Sequence, residues 1–99
     1  MTNTKEEIMD IVDDIQCALI TYQRNYDSSD TFILKEGYNQ FDLDIFLKNL
    51  DFEYDAGFGH QYIYGTIWLK DGTWMDRGEY DGSEWWNLQS RPEVPEILK

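Results

Sequence analysis

The sequence predicts an α+β domain, with an N-terminal amphipathic helix and a second short helix packed on one face of a three- to four-stranded antiparallel meander. Three observations carry that reading. Apolar residues recur at helical spacing over the first quarter of the chain. Two Asp-Gly pairs, Asp71-Gly72 and Asp81-Gly82, mark hairpin turns in the second half, because both turn positions favour positive φ. Around these pairs Tyr, Trp, Ile and Thr crowd between glycines, which is strand composition.

Residues 4–24 read as the first helix. Thr4 followed by Glu7 has the form of a capping box, and Glu6 and Glu7 sit at the positive end of the helix dipole. Ile8, Ile11, Val12, Ile15, Leu19 and Tyr22 recur at steps of three and four and form one apolar stripe, with Cys17 and Ala18 filling gaps beside it. Asn25 to Asp30 contains Asp-Ser-Ser-Asp and reads as a loop. Residues 31–45 stay open between helix and strand. Phe32-Ile33-Leu34 fits a short strand or a helical turn, and Phe41, Leu43 and Ile45 alternate with Asp42 and Asp44. Leu43, Phe46, Leu47 and Leu50 nevertheless keep helical spacing behind Asn39 as a cap, which favours a helix at about 40–49.

Phe52-Glu53-Tyr54 reads as a short strand, Ala56-Gly57-Phe58-Gly59 as a turn, and Gln61 to Leu69 as the longest strand. Thr73 to Tyr80 returns, and Glu84 to Leu88 is the last strand. Pro92 and Pro95 end regular structure, and the tail packs through Val94, Ile97 and Leu98. A two-residue turn at Asp71-Gly72 sets Leu69 opposite Trp74, Ile67 opposite Asp76 and Ile63 opposite Tyr80, on the face turned to the helices. The open face then carries Trp68 opposite Met75, Thr66 opposite Arg77 and Tyr64 opposite Glu79, with Tyr62 at its end. A slip of one residue would exchange the two faces.

The 99 residues suit a single domain over 1–99, and an aromatic content of 16% argues against disorder. With 20 Asp plus Glu against 8 Lys plus Arg the formal charge is −12, which disfavours nucleic acid as a direct ligand and favours a basic partner. One cysteine, Cys17, makes no internal disulfide, and no Cys/His zinc pattern can be built, so no metal or cofactor is called for. No apolar run approaches the length of a membrane span and the N-terminus lacks a signal-peptide core, which points to a reducing cytoplasm.

Candidate chemistry is sparse. His60 and Cys17 are the only His and Cys, and a reactive pair would need them together with an orienting acid. The blander reading is a solvated turn histidine and a buried inert thiol. Glu79, Asp81 and Glu84 gather at the second turn, yet the spacing from Asp76 to Glu84 does not fit a calcium loop. Gly57-Phe58-Gly59 has no Lys-Ser or Lys-Thr behind it and reads as a turn rather than a phosphate loop. Trp68, Trp74, Trp85 and Trp86 with Tyr62, Tyr64 and Tyr80 offer a protein-contact surface, about half of which belongs to the core. In the adjacent pair Trp85-Trp86 one side chain goes to each sheet face.

Carboxylates are the most informative feature. In an α-helix Glu6, Asp10 and Asp14 stand one above another about 6 Å apart, an arrangement that costs helix stability and imitates the phosphates of DNA to a basic cleft. Asp13 lies with them off the apolar stripe, and Asp42, Asp44, Asp51, Glu53 and Asp55 add a second acidic run; the plainer reading, which carries more weight, is the solvated face of an acidic protein.

Gly65-Thr66-Ile67-Trp68, Asp71-Gly72-Thr73-Trp74, the run from Arg77 to Trp86, and Arg91-Pro92-Glu93-Val94-Pro95 together resemble a stretch found in small acidic proteins of tailed bacteriophages and prophages, over about residues 50–98. The resemblance implies a phage gene expressed in a bacterial cytoplasm. It implies no reaction and carries no catalytic residue over. The expected function is a non-catalytic inhibitor that occupies the basic surface of a host protein, such as a nuclease, a CRISPR effector, a restriction enzyme or RNA polymerase. Its contact residues would be Glu6, Asp10, Asp13, Asp14, Asp42 and Asp44, with an aromatic anchor from Tyr62, Tyr64, Trp68, Trp85 and Trp86. The alternatives are a phage assembly accessory, dimeric through the open sheet face, and a small carboxylate-based enzyme.

Overall fold

Ile15, Ala18 and Ile20 are buried while Leu19 between them is 42% exposed, the alternation of a strand and not the stripe of a helix. The computed structural model describes residues 2–25, 27–54, 60–80 and 82–90. Its strands are β1 (Thr2–Asn3), β2 (Ile15–Asn25), β3 (Ser28–Leu34), β4 (Glu53–Tyr54), β5 (Ile63–Leu69), β6 (Trp74–Tyr80) and β7 (Ser83–Gln89); Glu6–Asp14 is a 3₁₀ helix and α1 spans Gln40–Asn49. The expected α+β meander is thereby corrected to a mostly β architecture. An antiparallel sheet of five strands runs in the order β3-β2-β5-β6-β7, and β1 and β4 form a separate two-stranded sheet. The expected N-terminal helix over 4–24 splits into the 3₁₀ helix and the longest strand of the molecule.

A β-bulge explains the misreading. The register shifts between Ile15 and Cys17, so Ile15 and Ala18, three positions apart, both turn inward before Ala18, Ile20 and Tyr22 alternate normally. That offset mimics helical spacing. The β-branched Ile15, Ile20 and Thr21 favour a strand. Thr4 caps nothing. Its residue is buried, its hydroxyl has no hydrogen-bond partner and its amide bonds to Phe52 O at 2.9 Å. Asn3 Oδ1 accepts from the Glu6 amide at 3.0 Å instead.

The open question at 31–45 resolves into β3 and α1. Asn39 and Asp42 form a reciprocal capping box at the start of α1, and the expected loop at 25–30 shrinks to the turn of the β2–β3 hairpin. Leu43, Phe46 and Leu50, with Ile8 of the 3₁₀ helix, pack against Ile20, Leu34, Ile63 and Ile67 to form the core on one face of the sheet.

The β5–β6 hairpin is tied by one residue more than expected. Leu69 N donates to Thr73 O and Gly72 N to Leu69 O, so Lys70-Asp71-Gly72 is a three-residue loop with Gly72 at φ +91. Trp68 therefore lies opposite Trp74, Ile67 opposite Met75 and Thr66 opposite Asp76. Both faces of β6 are exchanged relative to the expected register, and Arg77 turns inward. The turn at Ala56-Gly57-Phe58-Gly59, Asp81 of the second Asp-Gly pair and the tail from Arg91 lie outside the described residues. Gly82 has φ +84 beside the paired Tyr80 and Ser83.

Candidate functional site

The inward turn of Arg77 creates a buried ionic cluster. Its guanidinium, on a side chain 2% exposed, donates to Glu7 Oε2 at 2.9 Å and to Glu84 Oε1 at 3.2 Å. It also donates to the Tyr54 hydroxyl, which itself donates to Glu7 Oε1 at 2.5 Å. The Trp86 and Tyr54 rings lie 5.0 and 5.7 Å from the guanidinium carbon. Burial, the largest single influence, works to lower the Arg77 pKa, but Glu7, Tyr54 and Glu84 together outweigh it and hold the group above its ordinary range. Tyr54 is pushed far above the usual tyrosine range by burial and by its bond to Glu7, against the pull of Arg77.

Glu84 has a second task. Pairing of β6 with β5 ends at Thr66 and Asp76, leaving the next β5 amides without that strand. The Glu84 carboxylate, fully buried, accepts from Tyr62 N at 2.8 Å and Ile63 N at 2.9 Å. A side chain thus substitutes for a strand ladder. Every polar group of Arg77, Glu7 and Glu84 described here is engaged by another protein group, which is the arrangement of a scaffold. Sequence reasoning missed the cluster because its register depends on one residue of turn length.

The expected reactive groups do not converge. Cys17 lies opposite Trp68 at one end of β2 and β5, whereas His60 precedes the other end and meets Tyr62 edge-on at 4.5 Å. Five strand positions, roughly 16 Å, separate Cys17 from Tyr22, the β2 residue paired with Ile63 beside Tyr62. Burial, with Glu36 added, pushes the Cys17 thiol up. Glu79 accepts from Gly82 N at 2.6 Å while Glu84 turns to Arg77. Among the described residues no three His, Cys, Asp or Glu side chains converge to hold a metal ion, and no helix is long and apolar enough to cross a membrane.

The expected contact residues divide between two surfaces. Glu6, Asp10, Asp13 and Asp14 are exposed on the 3₁₀ helix, and Asp42 and Asp44 on α1. The 3₁₀ repeat of three residues spreads Glu6, Asp10 and Asp14 over different sides, so the expected stacked row does not form. Tyr62 and Trp86 belong to the inner face, Tyr62 stacking at 6.2 Å on Tyr22 and Trp86 against Arg77.

The opposite face of the sheet is open. Leu19, Ile33, Tyr64, Trp68 and Trp85 stand there with exposures of 39–58%. Cross-strand pairing sets Leu19 against Ile33 and Thr66, and Trp68 against Cys17 and Trp74. Trp85 lies flat across Gly78, where a Cβ would come within 2.6 Å of its indole, and its Nε1 donates to Asn87 Oδ1 at 2.7 Å. Among the described strand residues, register places one charge on this face, Asp76, which accepts from Gln89. In a chain of which 28% is charged, such a face has the composition of an interface centre. No family model, curated protein or solved structure matches the chain.

Proposed function

We propose that the chain is a small non-catalytic binding protein that docks a basic partner on the open sheet face. The observation that supports it is the pairing of that nearly charge-free aromatic face with a formal net charge of −12 over the whole chain. Tyr64, Trp68 and Trp85 are the anchors, since large rigid aromatics lose little entropy on docking and dominate interface energies. Glu6, Asp10, Asp13, Asp14, Asp42 and Asp44 sit on the layer covering the other face. They act through the field that steers encounter rather than through contact. The partner is a host protein whose basic surface surrounds an apolar centre, as in nucleic-acid-binding proteins. Encoding by a phage rests on the sequence resemblance alone.

The test is capture from bacterial lysate, comparing the parent with Trp68→Ser and with Asp10→Asn/Asp13→Asn/Asp14→Asn. The parent retains a cationic protein, Trp68→Ser loses it at least tenfold, and the neutralised variant keeps it with slower association and a shallower salt dependence. Equal capture by Trp68→Ser and the parent would overturn the reading.

A further inference from the structure

The chain passes from β5 to β6 through Lys70-Asp71-Gly72, an exposed loop of three residues. Aspartate followed by glycine is the pairing in which a main-chain amide most readily reaches the preceding side-chain carboxyl, because the second residue has no Cβ to obstruct the approach. Nothing stands within 4 Å of the place a Cβ would take at Gly72. Both reacting groups are nevertheless held. Asp71 Oδ1 accepts from the Thr73 hydroxyl at 2.5 Å and from the Thr73 amide at 2.9 Å. The Gly72 amide donates to Leu69 O at 3.2 Å, and Thr73 is itself tied to β5, its carbonyl accepting from Leu69 N at 2.9 Å. The Thr73 hydroxyl, and then its amide, keep the Asp71 carboxyl below its ordinary range, because both bonds favour the ionised form. Asp14 and Lys70 border the same surface depression as Asp71, and the Lys70 ammonium is turned to Asp13 O at 2.9 Å.

We propose that Asp71-Gly72 is a self-modification site at which Asp71 converts to isoaspartate, and that Thr73 is the positioning residue that restrains the conversion. The Gly72 nitrogen attacks Asp71 Cγ. The new N–Cγ bond closes a five-membered succinimide, and the carboxyl hydroxyl leaves as water with the amide proton. Water then opens the ring. Attack at Cγ restores aspartate. Attack at the Asp71 main-chain carbonyl carbon breaks its bond to Gly72 and leaves the chain running through Cβ and Cγ. No reactant besides water enters. The carboxyl reacts in its neutral form, since a carboxylate has no hydroxyl to release. The two bonds from Thr73 favour the ionised form and fix its orientation, so the reaction waits for the loop to open. The product lengthens the loop by one main-chain carbon. This is the loop whose length sets which face of β6 turns inward, so modification at Asp71 reaches Arg77 through the register of that strand. The inference concerns a site apart from the aromatic face and stands without it.

The full chain is incubated at mildly acid pH, and isoaspartate is measured by peptide mapping, which separates it from aspartate of equal mass. Asp81, of the second Asp-Gly pair, is the internal reference. Isoaspartate accumulates at Asp71 at least threefold more slowly in the folded protein than in urea. Thr73→Val, which removes the hydroxyl and keeps the amide, raises the folded-state rate at Asp71 at least threefold and leaves that at Asp81 unchanged. On acidification its rate begins to climb at a higher pH than in the parent, because the Asp71 carboxyl takes up its proton more readily. Thr73→Ser restores the parent rate and pH profile. The isolated isoaspartate form melts below the parent. Absence of isoaspartate at Asp71, equal rates in the parent and Thr73→Val, a rise at Asp81 equal to that at Asp71, or a melting temperature unchanged by the modification would each overturn the proposal.

Discussion

The two ends of the inner sheet face rest on different chemistry. At the β3–β2 end Ile20, Leu34, Phe46 and Leu50 are 0–3% exposed and meet as aliphatic and aromatic surface. At the β6–β7 end the same layer holds Arg77, Glu84, Glu7 and Tyr54 in one bonded cluster. The rings of Phe32, Phe52, Tyr22, Tyr62 and Tyr54 form a relay between them, with successive centroids 4.6–6.3 Å apart. Apolar burial has no direction, so the first end tolerates exchanges that conserve volume. The second depends on every member, because each buried charge loses water that only its partners replace.

Replacing Arg77 with Met tests this difference hardest. It leaves Glu7 and Glu84 without a counter-charge and costs about 4 kcal/mol in denaturant unfolding, against about 1 kcal/mol for Ile20→Val at the aliphatic end. Adding Glu7→Gln and Glu84→Gln to Arg77→Met recovers part of that loss, and a strictly additive triple variant would break the comparison. The junction of the two ends comes next. Gly65, at φ +145, would place a Cβ 2.2 Å from the Leu19 carbonyl oxygen. Gly65→Ala therefore costs about 3 kcal/mol through strain and backbone displacement. Gly72→Ala, also at positive φ but with open space around it, costs about 1 kcal/mol. Equal effects of the two would refute the close approach of β5 to β2.

Tyr54 gives an effect smaller than that of Arg77 or Gly65, and a pH signature. Its folded-state pKa is raised, so the folded protein keeps a proton that the unfolded chain releases near the ordinary value of 10.0. The associated stability is complete below that pH and is lost as pH rises through and beyond it. Tyr54→Phe lowers neutral-pH stability by about 1–2 kcal/mol and flattens the alkaline decline. Tyr38, raised by burial and by Asp13, retains a contribution of the same sign. An unchanged alkaline slope in Tyr54→Phe would sever the ionic end from this titration.

The parts of this fold legible in the sequence are those coded over a few residues. Asn39 announces α1, Gly72 announces a turn, and the buried Ile63, Ile67 and Leu69 alternate with exposed Tyr64 and Trp68 as expected. Two single-residue events hid the rest. The bulge at Ile15–Cys17 lent β2 a helical spacing, and the third loop residue, Lys70, turned β6 over. Strand β6 could not correct the error, because Trp74, Asp76 and Tyr80 on one face and Met75, Arg77 and Glu79 on the other are equally mixed. A strand without a clear apolar face specifies its register weakly. The open aromatic face was legible in Tyr64 and Trp68, but Tyr62 and Trp86 were not separable from it, since their partners, Tyr22 and Arg77, come from distant segments.

Glu7 and Arg77 are separated by 70 positions, and Glu7 and Tyr54 by 47. The β2–β3 and β6–β7 hairpins close over short loops, whereas the bonds of Glu7 require most of the chain to be in place first. The Glu7 bonds are among the long-range contacts of the fold, comparable in separation with the Ile15–Leu69 pairing of β2 and β5, and they carry the carboxylate that completes the charge balance around Arg77. On a growing chain, Glu7 emerges from the ribosome long before Arg77. A chain cut short of Arg77 therefore keeps the Glu7 carboxylate but lacks the guanidinium that balances it.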